Sequence, residues 1–463
     1  MSPDGEGVRP VPRVAWDRWL DSLTRAGWSP RPGPGASPEG DAGDGLDSER
    51  VAVGEALGRV TAVPVAARWP SPRGDCAAMD GIAVRASDLA AAPAALAADA
   101  LAGDAGPSGG TVRLAAGMFE WIDTGDPMPP GADTVVVRER LLPQADGSLL
   151  VAPAAGPGTG RGHRKGHSAR GRNVRTAGED FTAEETLVPA GRRLRPGDLA
   201  AVAAGGHATV AVARCPVVAI IPTGDEIRPV GSVPRFGDII DTNSLMLAAR
   251  CRQLGAVPVV SAVVRDDPDA LAVELRHAAG QADLVLVIAG SSRGRGDHAA
   301  AVLAQVGGVA VAGVAVRPGH PALLGHAKRP EAGHGHPAEG HAARRTGIAP
   351  VIGLPGYPLA TAVIFELFAV PILGALTGQA TAPDLVRARL DRDWSSPADV
   401  EDWVLVTLSR GDAGGVPIAT PARRGASSIS QLAGADAWWP IPAGQGALRS
   451  GAQIEVIPVP GGG

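Results

Sequence analysis

Cysteine, lysine and tyrosine are nearly missing from this chain of 463 residues. Cys76, Cys215 and Cys251 lie far apart with no C-x-x-C pair, which argues against a disulfide framework or a cysteine-rich zinc site and suits a reduced compartment. Lysine stands only at 165 and 328 and tyrosine only at 357, against 63 glycines and 42 prolines. This is the bias of a GC-rich coding sequence. Short matches built of Gly, Pro, Ala or Arg therefore weigh little, and a well-placed Asp, Glu, Asn or Thr weighs more. Positive charge is not in excess: 43 basic against 48 acidic residues leave a net charge of −5, so no overall field draws nucleic acid or an anionic membrane, and any anion must be gripped locally. No run of about 18 apolar residues escapes interruption by Arg, Asp, Gly or Pro, so no segment is expected to span a bilayer. The first residues also lack the basic start and apolar core of a secretory signal. A soluble, cytoplasmic protein is expected.

With 45% apolar and 20% charged residues, the chain has material for buried cores in roughly three domains. Trp16, Trp19, Leu20 and Leu23 at helical spacing predict a helix over residues 14–26, followed by a Gly/Pro/Asp-rich insert to residue 45. Residues 50–59 read as a second short amphipathic helix and 60–66 as a strand leaving it. Short strands at 82–84, 111–114, 134–138 and 149–151 predict a β-rich unit. The basic stretch 156–172 reads as a mobile loop, with basic residues beside an anionic substrate as the alternative.

From residue 217, apolar strands (217–221, 257–264, 284–288, 351–354) alternate with helices (244–254, 268–279, 359–376). That pattern predicts βαβ units and a parallel sheet covered on both faces, with ligands at the carboxyl ends of the strands. The Gly/His/Arg-rich stretch 325–347, with His326, His334, His336 and His341, reads as a disordered insertion or, alternatively, a metal site. Strands at 404–408 and 454–459 predict a terminal β-barrel-like domain. The expected fold is multidomain, α/β and β.

The polar residues of interest sit at strand ends and Gly/Pro turns: Asp75 and Asp80, Glu179 and Asp180, Asp225 and Glu226, Asp241, and Asp297. Carboxylates at the mouth of a parallel sheet suit a hard cation such as Mg²⁺, which neutralises a phosphate ester. Each acid taken alone also reads as a helix cap or solvated turn, and Asp241-Thr242-Asn243 before Ser244 has the composition of a cap. The turn at 289–296, with Ser291 and Ser292, follows a strand and leaves backbone N–H groups to face an oxyanion. It is no Walker motif, and Gly294 and Gly296 lack the third glycine of a dinucleotide fingerprint. Two Pro-Gly-x-Pro turns, Arg317-Pro318-Gly319-His320-Pro321 and Leu354-Pro355-Gly356-Tyr357-Pro358, are rigid corners that also hold an oxyanion at little reorganisation cost.

In order along the chain these motifs resemble the molybdopterin molybdotransferase family, bacterial MoeA and the E domain of eukaryotic gephyrin. The likeness takes in Ala56-Leu57-Gly58-Arg59, residues 75–84, Thr124-Gly125-Asp126-Pro127 through Asp133 with Glu139, residues 173–180, Thr223-Gly224-Asp225-Glu226, Asp241-Thr242-Asn243-Ser244, residues 290–297 and both Pro-Gly-x-Pro turns. The resemblance implies an elongated homodimer of four-domain subunits: a linker domain (11–71 and 172–212), a β-rich domain (72–171), an α/β domain (213–378) and a C-terminal β domain (379–460). The cleft would lie between the α/β domain of one subunit and the β-rich domain of the other.

The implied reaction is Mg²⁺-dependent insertion of molybdate into adenylyl-molybdopterin with release of AMP. By motif match, Asp80 and Thr124 stand for the β-rich side of that cleft and Glu226, Asp241 and Asp297 for the α/β side, with Asp241 and Asp297 placing Mg²⁺. Asp75, Glu179, Asp180, Asp225, Ser291, Ser292, Arg317 and His320 are implied substrate contacts, and Pro355 and Pro358 shape the molybdate pocket. The chain departs from the family at Cys76-Ala77, at Ala289 through Gly294 including Arg293, at Arg317 and His320 in place of lysines, and at Tyr357 in place of Asn. Arginine keeps its charge and its fork, whereas His320 brings a titratable imidazole. A paralogue with altered specificity, inserting tungstate or serving as a scaffold with other cofactor-biosynthesis proteins as partners, is the alternative. Adenylylation of the pterin by a stand-alone α/β domain is disfavoured, since those sister enzymes lack the β-rich and terminal domains.

Overall fold

The structure, a computed structural model, describes residues 9–28, 48–90, 111–152, 170–289, 298–330, 347–379, 383–411, 415–425 and 428–459. Six strands build its central sheet, in the order Val257–Val260, Val217–Pro222, Leu284–Ala289, Ile348–Pro355, Leu323–Lys328, Gly307–Ala312. The strands are apolar almost throughout because both faces are covered. Val218, Ile220, Leu284, Leu286 and Ile288 bury in one core with the helices Thr242–Gln253 and Pro358–Thr377. Their alternate neighbours Ala219, Ile221, Val285 and Val287 bury in another with Pro268–Gln281 and Ala299–Val306, as the two-residue period of a strand requires.

The sheet is mixed rather than wholly parallel. Its first four strands are parallel, but Leu323–Lys328 runs antiparallel to both its neighbours. The link from Gly307–Ala312 is too short for a crossover helix, so the chain folds straight back. The Gly/His-rich stretch is correspondingly shorter than the composition suggests. Residues 325–328 are strand, with the half-buried His326 ring packed where a Cβ on Gly308 would lie. His334, His336 and His341 fall outside the described residues.

The N-terminal helix Pro12–Arg25 forms as its apolar spacing predicts, but it packs on this sheet and not with the linker domain. Trp19 is fully buried, donates its indole N–H to the Gly325 carbonyl at 2.8 Å, and meets Trp16 and Phe368 edge-on at 5.8 and 6.3 Å. The helix Pro358–Thr377 contains a π turn at Phe365–Ala369. By length and composition it is apolar enough to cross a membrane, but 67% of that stretch is buried inside the fold, as in a core helix. Its Glu366 pairs with Arg250 at 2.7 and 3.1 Å.

The stretch 50–59 is not a helix. Ser48–Ala52 is a strand antiparallel to Thr209–Ala213, followed by a single 3₁₀ turn at Val53–Glu55. A partner some 160 positions along the chain overrides a local helical pattern. Of the strand expected at 60–66, Val65–Ala66 forms one, paired with Thr186–Val188, and Val60 and Thr61 make isolated bridges. The strand Val257–Val260 likewise stops short of 264.

In the β-rich unit, Glu120–Ile122, Gly81–Val84 and Thr134–Val137 form one three-stranded sheet, and Val112–Leu114, Leu149–Val151 and Leu141–Pro143 another. Gly81 is required there, since a Cβ would stand 1.9 Å from the Val136 carbonyl oxygen.

The C-terminal strands close on themselves: Glu401–Ser409, Ile418–Pro421, Val386–Leu390, Gln453–Pro458, Ala437–Ile441 and back to Glu401–Ser409. Val404, Val406 and Trp439 fill the barrel. The outward Trp403, Leu405 and Trp438 join the α/β core, and Val316–Arg317 adds to Glu401–Ser409 in parallel.

Trp19→Ala removes an indole that fills the core and caps a carbonyl; it is expected to lower stability by about 3–5 kcal/mol, read as a shifted denaturant midpoint of the α/β core.

Candidate active site

A cavity of about 990 Å³ opens between the carboxyl ends of the parallel strands and the barrel. Six of the residues given roles at the expected site line it: Glu226, Asp241, Arg317, His320, Pro355 and Pro358. Each is placed by a strand end. Val217–Pro222 runs into Thr223, whose hydroxyl and N–H both donate to the Ile288 carbonyl at 2.9 and 3.0 Å. Gly224 then turns the chain at φ +137°, where a Cβ would lie within 3.0 Å of both Glu226 carboxylate oxygens. The short strands Ile227–Arg228 and Ile239–Ile240 pair in parallel and deliver Asp241 to the start of its helix.

Asp241 is the N-cap of Thr242–Gln253, one oxygen accepting the Ser244 N–H at 2.9 Å. The cap uses one carboxylate oxygen and leaves the second, and the helix N-terminus favours its charge. Asn243, 8% exposed, donates to the Gly356 carbonyl at 2.7 Å. Thr361 holds the same turn from the helix side, its hydroxyl donating to the carbonyls of Pro355 at 2.5 Å and Tyr357 at 3.1 Å. The Pro355–Pro358 corner is thus locked from two directions.

Several polar atoms on this wall are buried without a partner among the described residues: Asn243 Oδ1, His320 Nδ1, Trp394 Nε1 and Gln431 Oε1. Buried polar groups are normally satisfied, so a concentration of unmet ones around one cavity marks a place for a polar ligand.

The other sequence candidates lie elsewhere. Asp80 and Thr124 meet because Gly81 pairs with Ile122 across two antiparallel strands. The Thr124 hydroxyl and N–H both donate to Asp80 Oδ1 at 2.7 Å. Those two bonds, with Arg138 adding a smaller attraction, hold the Asp80 carboxyl below its ordinary range, because each favours the ionised form. Asp75 accepts the Ala177 N–H at 2.9 Å and Glu179 the Thr176 N–H at 3.1 Å, which makes both of them turn braces. Asp180 and Asp225 are exposed. None of these six lines the cavity of its own chain. Ser291, Ser292, Arg293 and Asp297 lie outside the described residues, and among the described residues no cluster of three potential metal ligands forms.

The barrel side of the cavity has no counterpart among the sequence candidates. Trp394, Asp402, Trp403, Arg423, Arg424 and Gln431 line it. The one available cue was the adjacent arginine pair at 423–424, and no motif marks it.

Three family models match in chain order: the MoeA N-terminal region (domain I and II) over residues 36–206, a probable molybdopterin binding domain over 219–375, and the MoeA C-terminal region (domain IV) over 387–459. A molybdopterin molybdenumtransferase of Nostoc sp. is 30% identical over 424 residues, covering 89% of each chain, and one of Bacillus subtilis is 29% identical over 89% of this chain and 90% of its own. The crystal structure of a molybdopterin biosynthesis MoeA protein from Pyrococcus horikosii superposes with a TM-score of 0.72 at 27% identity, covering 98% of this chain and 99% of that one.

The cap made by Asp241 is testable by itself. Asp241→Ala removes the cap and is expected to lower stability by about 1 kcal/mol, whereas Asp241→Asn keeps an acceptor at the N-cap and melts like the parent; thermal unfolding of the two variants side by side checks this.

Proposed function

Because the chain belongs to the MoeA family of molybdopterin molybdenumtransferases, we propose that it inserts molybdate into adenylyl-molybdopterin and releases AMP. Its place is in molybdenum cofactor biosynthesis, and it is a transferase. The observation that carries the finer reading is the cavity itself. It combines the carboxylates Glu226 and Asp241, the cationic Arg317 and two rigid proline corners around unmet polar atoms.

The residues present fit Mg²⁺. This ion takes one or two carboxylates and completes its shell with water and substrate phosphate oxygens, so it needs no cage of three protein ligands. Glu226 and Asp241 would hold it, and once bound it supplies charge neutralisation at the anhydride linking AMP to the pterin phosphate. The chain's own residues do the rest. Asp241 is oriented by its cap, so its free oxygen has one direction. Asn243 anchors the Pro355–Pro358 corner and keeps Oδ1 to accept from a donor on the substrate. Arg317 offers a planar fork to an oxyanion. The corner is already rigid, so binding costs little reorganisation.

Asp80 and Thr124 lie outside the cavity of their own chain, which supports a two-fold homodimer in which the second copy presents them.

Two measurements test this. Purified protein given adenylyl-molybdopterin, molybdate and Mg²⁺ is expected to release AMP, with at least a tenfold loss in Asp241→Asn and in Glu226→Gln; tight pterin binding without AMP release would instead indicate a non-catalytic paralogue. Asp80→Asn and Glu226→Gln, each inactive alone, should regain roughly a quarter of parental activity when co-refolded in equal amounts, because half the dimers then carry one intact site of two. No recovery on mixing would place Asp80 outside a shared cleft.

A further inference from the structure

Beside Asp80 and Thr124 the β-rich unit exposes an aromatic ring that its core does not use. The strand register fixes the faces: Trp121 stands opposite Ile82, and Ile82 opposite Val136, so the three side chains share one face of the sheet. Ile82 and Val136 are buried in the core on that face, whereas Trp121, on the edge strand Glu120–Ile122, is 55% exposed. Two residues further along the same rows stand Asp80 and Arg138, joined by the Arg138 N–H to the Asp80 carbonyl at 3.0 Å. The two-residue period returns both to the face of Trp121.

The indole is braced rather than covered. Phe119 meets it edge-on at 6.2 Å and 87°, and Arg138, which pairs with Asp123 at 3.3 Å, stands 6.0 Å from its centre. These contacts hold the ring in place, and more than half of the residue still meets solvent. A ring oriented in advance and open to water stacks on a planar ligand at little cost in ordering.

The polar groups around it select the kind of ring. Thr124 occupies only Oδ1 of Asp80, and Asp80 and Asp123 are both exposed. Ionised carboxylates accept and never donate, and their charge disfavours a phosphate. The 2-amino-pyrimidinone edge of a pterin presents two adjacent N–H donors, which match such acceptors. Adenine sets an acceptor nitrogen beside its amino group and matches them less well.

We infer that the Trp121 indole stacks on the pterin ring of the substrate bound in the cavity of the partner copy, and so helps to select that ring. The inference rests on the proposed shared cleft, which brings Asp80 and its neighbours to that cavity.

The full-length protein is titrated calorimetrically with molybdopterin and, separately, with AMP. Trp121→Ala is expected to weaken molybdopterin binding about tenfold, the size of one lost stacking contact, and to leave AMP binding at the parental value. Trp121→Phe keeps a ring face and should recover most of the loss. In steady-state AMP release the defect of Trp121→Ala should fall on KM with kcat unchanged. Parental molybdopterin affinity in Trp121→Ala, no binding by the parent, or no recovery in Trp121→Phe overturns the inference. A loss confined to AMP assigns the ring to adenine and overturns the choice of pterin. The two readings fail separately. Molybdopterin binding that depends on Trp121 in a protein that releases no AMP sinks the proposed reaction alone, and active protein whose molybdopterin affinity ignores Trp121 sinks the stacking alone. Mixing Asp80→Asn with Glu226→Gln decides the shared cleft independently of both.

Discussion

The two-sided burial of one barrel strand is the constraint on which the site depends. Along Glu401–Ser409, Val404 and Val406 point into the barrel while Trp403 and Leu405 point out into the α/β core, where Trp438 joins them with its ring 6.0 Å from that of Trp403. A slip of one residue would exchange the two sets and expose both cores, so the register is strongly specified. The same strand accepts Val316–Arg317 as a parallel neighbour. The barrel is thereby joined to the α/β domain by apolar burial and by backbone pairing, and the cavity is what remains between the two surfaces at the strand ends.

Rigidity is distributed around that cavity in a consistent way. The helix Thr242–Gln253 carries Asp241 at its start, and its far end is held as well. Arg193 donates to the carbonyl of Leu254 at 3.1 Å, to that of Gly58 at 3.0 Å and to the Gln379 side chain at 2.9 Å. A guanidinium at a helix C-terminus satisfies orphan carbonyls and complements the dipole, while here it also ties the linker region to the α/β domain. Asn243 connects the first turn of that helix to the Pro355–Pro358 corner.

Much of the α/β domain was legible because its physics is local. Apolar runs such as 217–221 and 284–288 have no polar alternation and so must be buried on both faces, and helices between them leave few connections open. Residues 50–59 carry a helical pattern yet begin as a strand because the competing partner, Thr209–Ala213, is remote in sequence, and periodicity does not report remote partners. The direction of Leu323–Lys328 is hidden for a similar reason: composition points to an insertion, while a short link dictates a reversal. In the site, Glu226, Asp241, Arg317 and His320 were marked by turns at strand ends. Asp402, Trp394 and Arg423 carried no mark, since a β-barrel strand reads alike whether its outer face meets solvent or another domain.

By itself the sequence determined the family, through acids and prolines in ordered turns at strand ends, and the layered α/β core, through the period of its apolar residues. The tertiary structure alone decided which of those residues share a cavity. It turned the β-rich acids Asp80 and Asp75 away from the cavity of their own chain and brought the barrel's arginines and tryptophans into it. The reason is one of range: a turn or an amphipathic face is set by neighbours within a few positions, whereas a cavity wall is set by domain packing, whose contacts join residues more than a hundred positions apart on the chain.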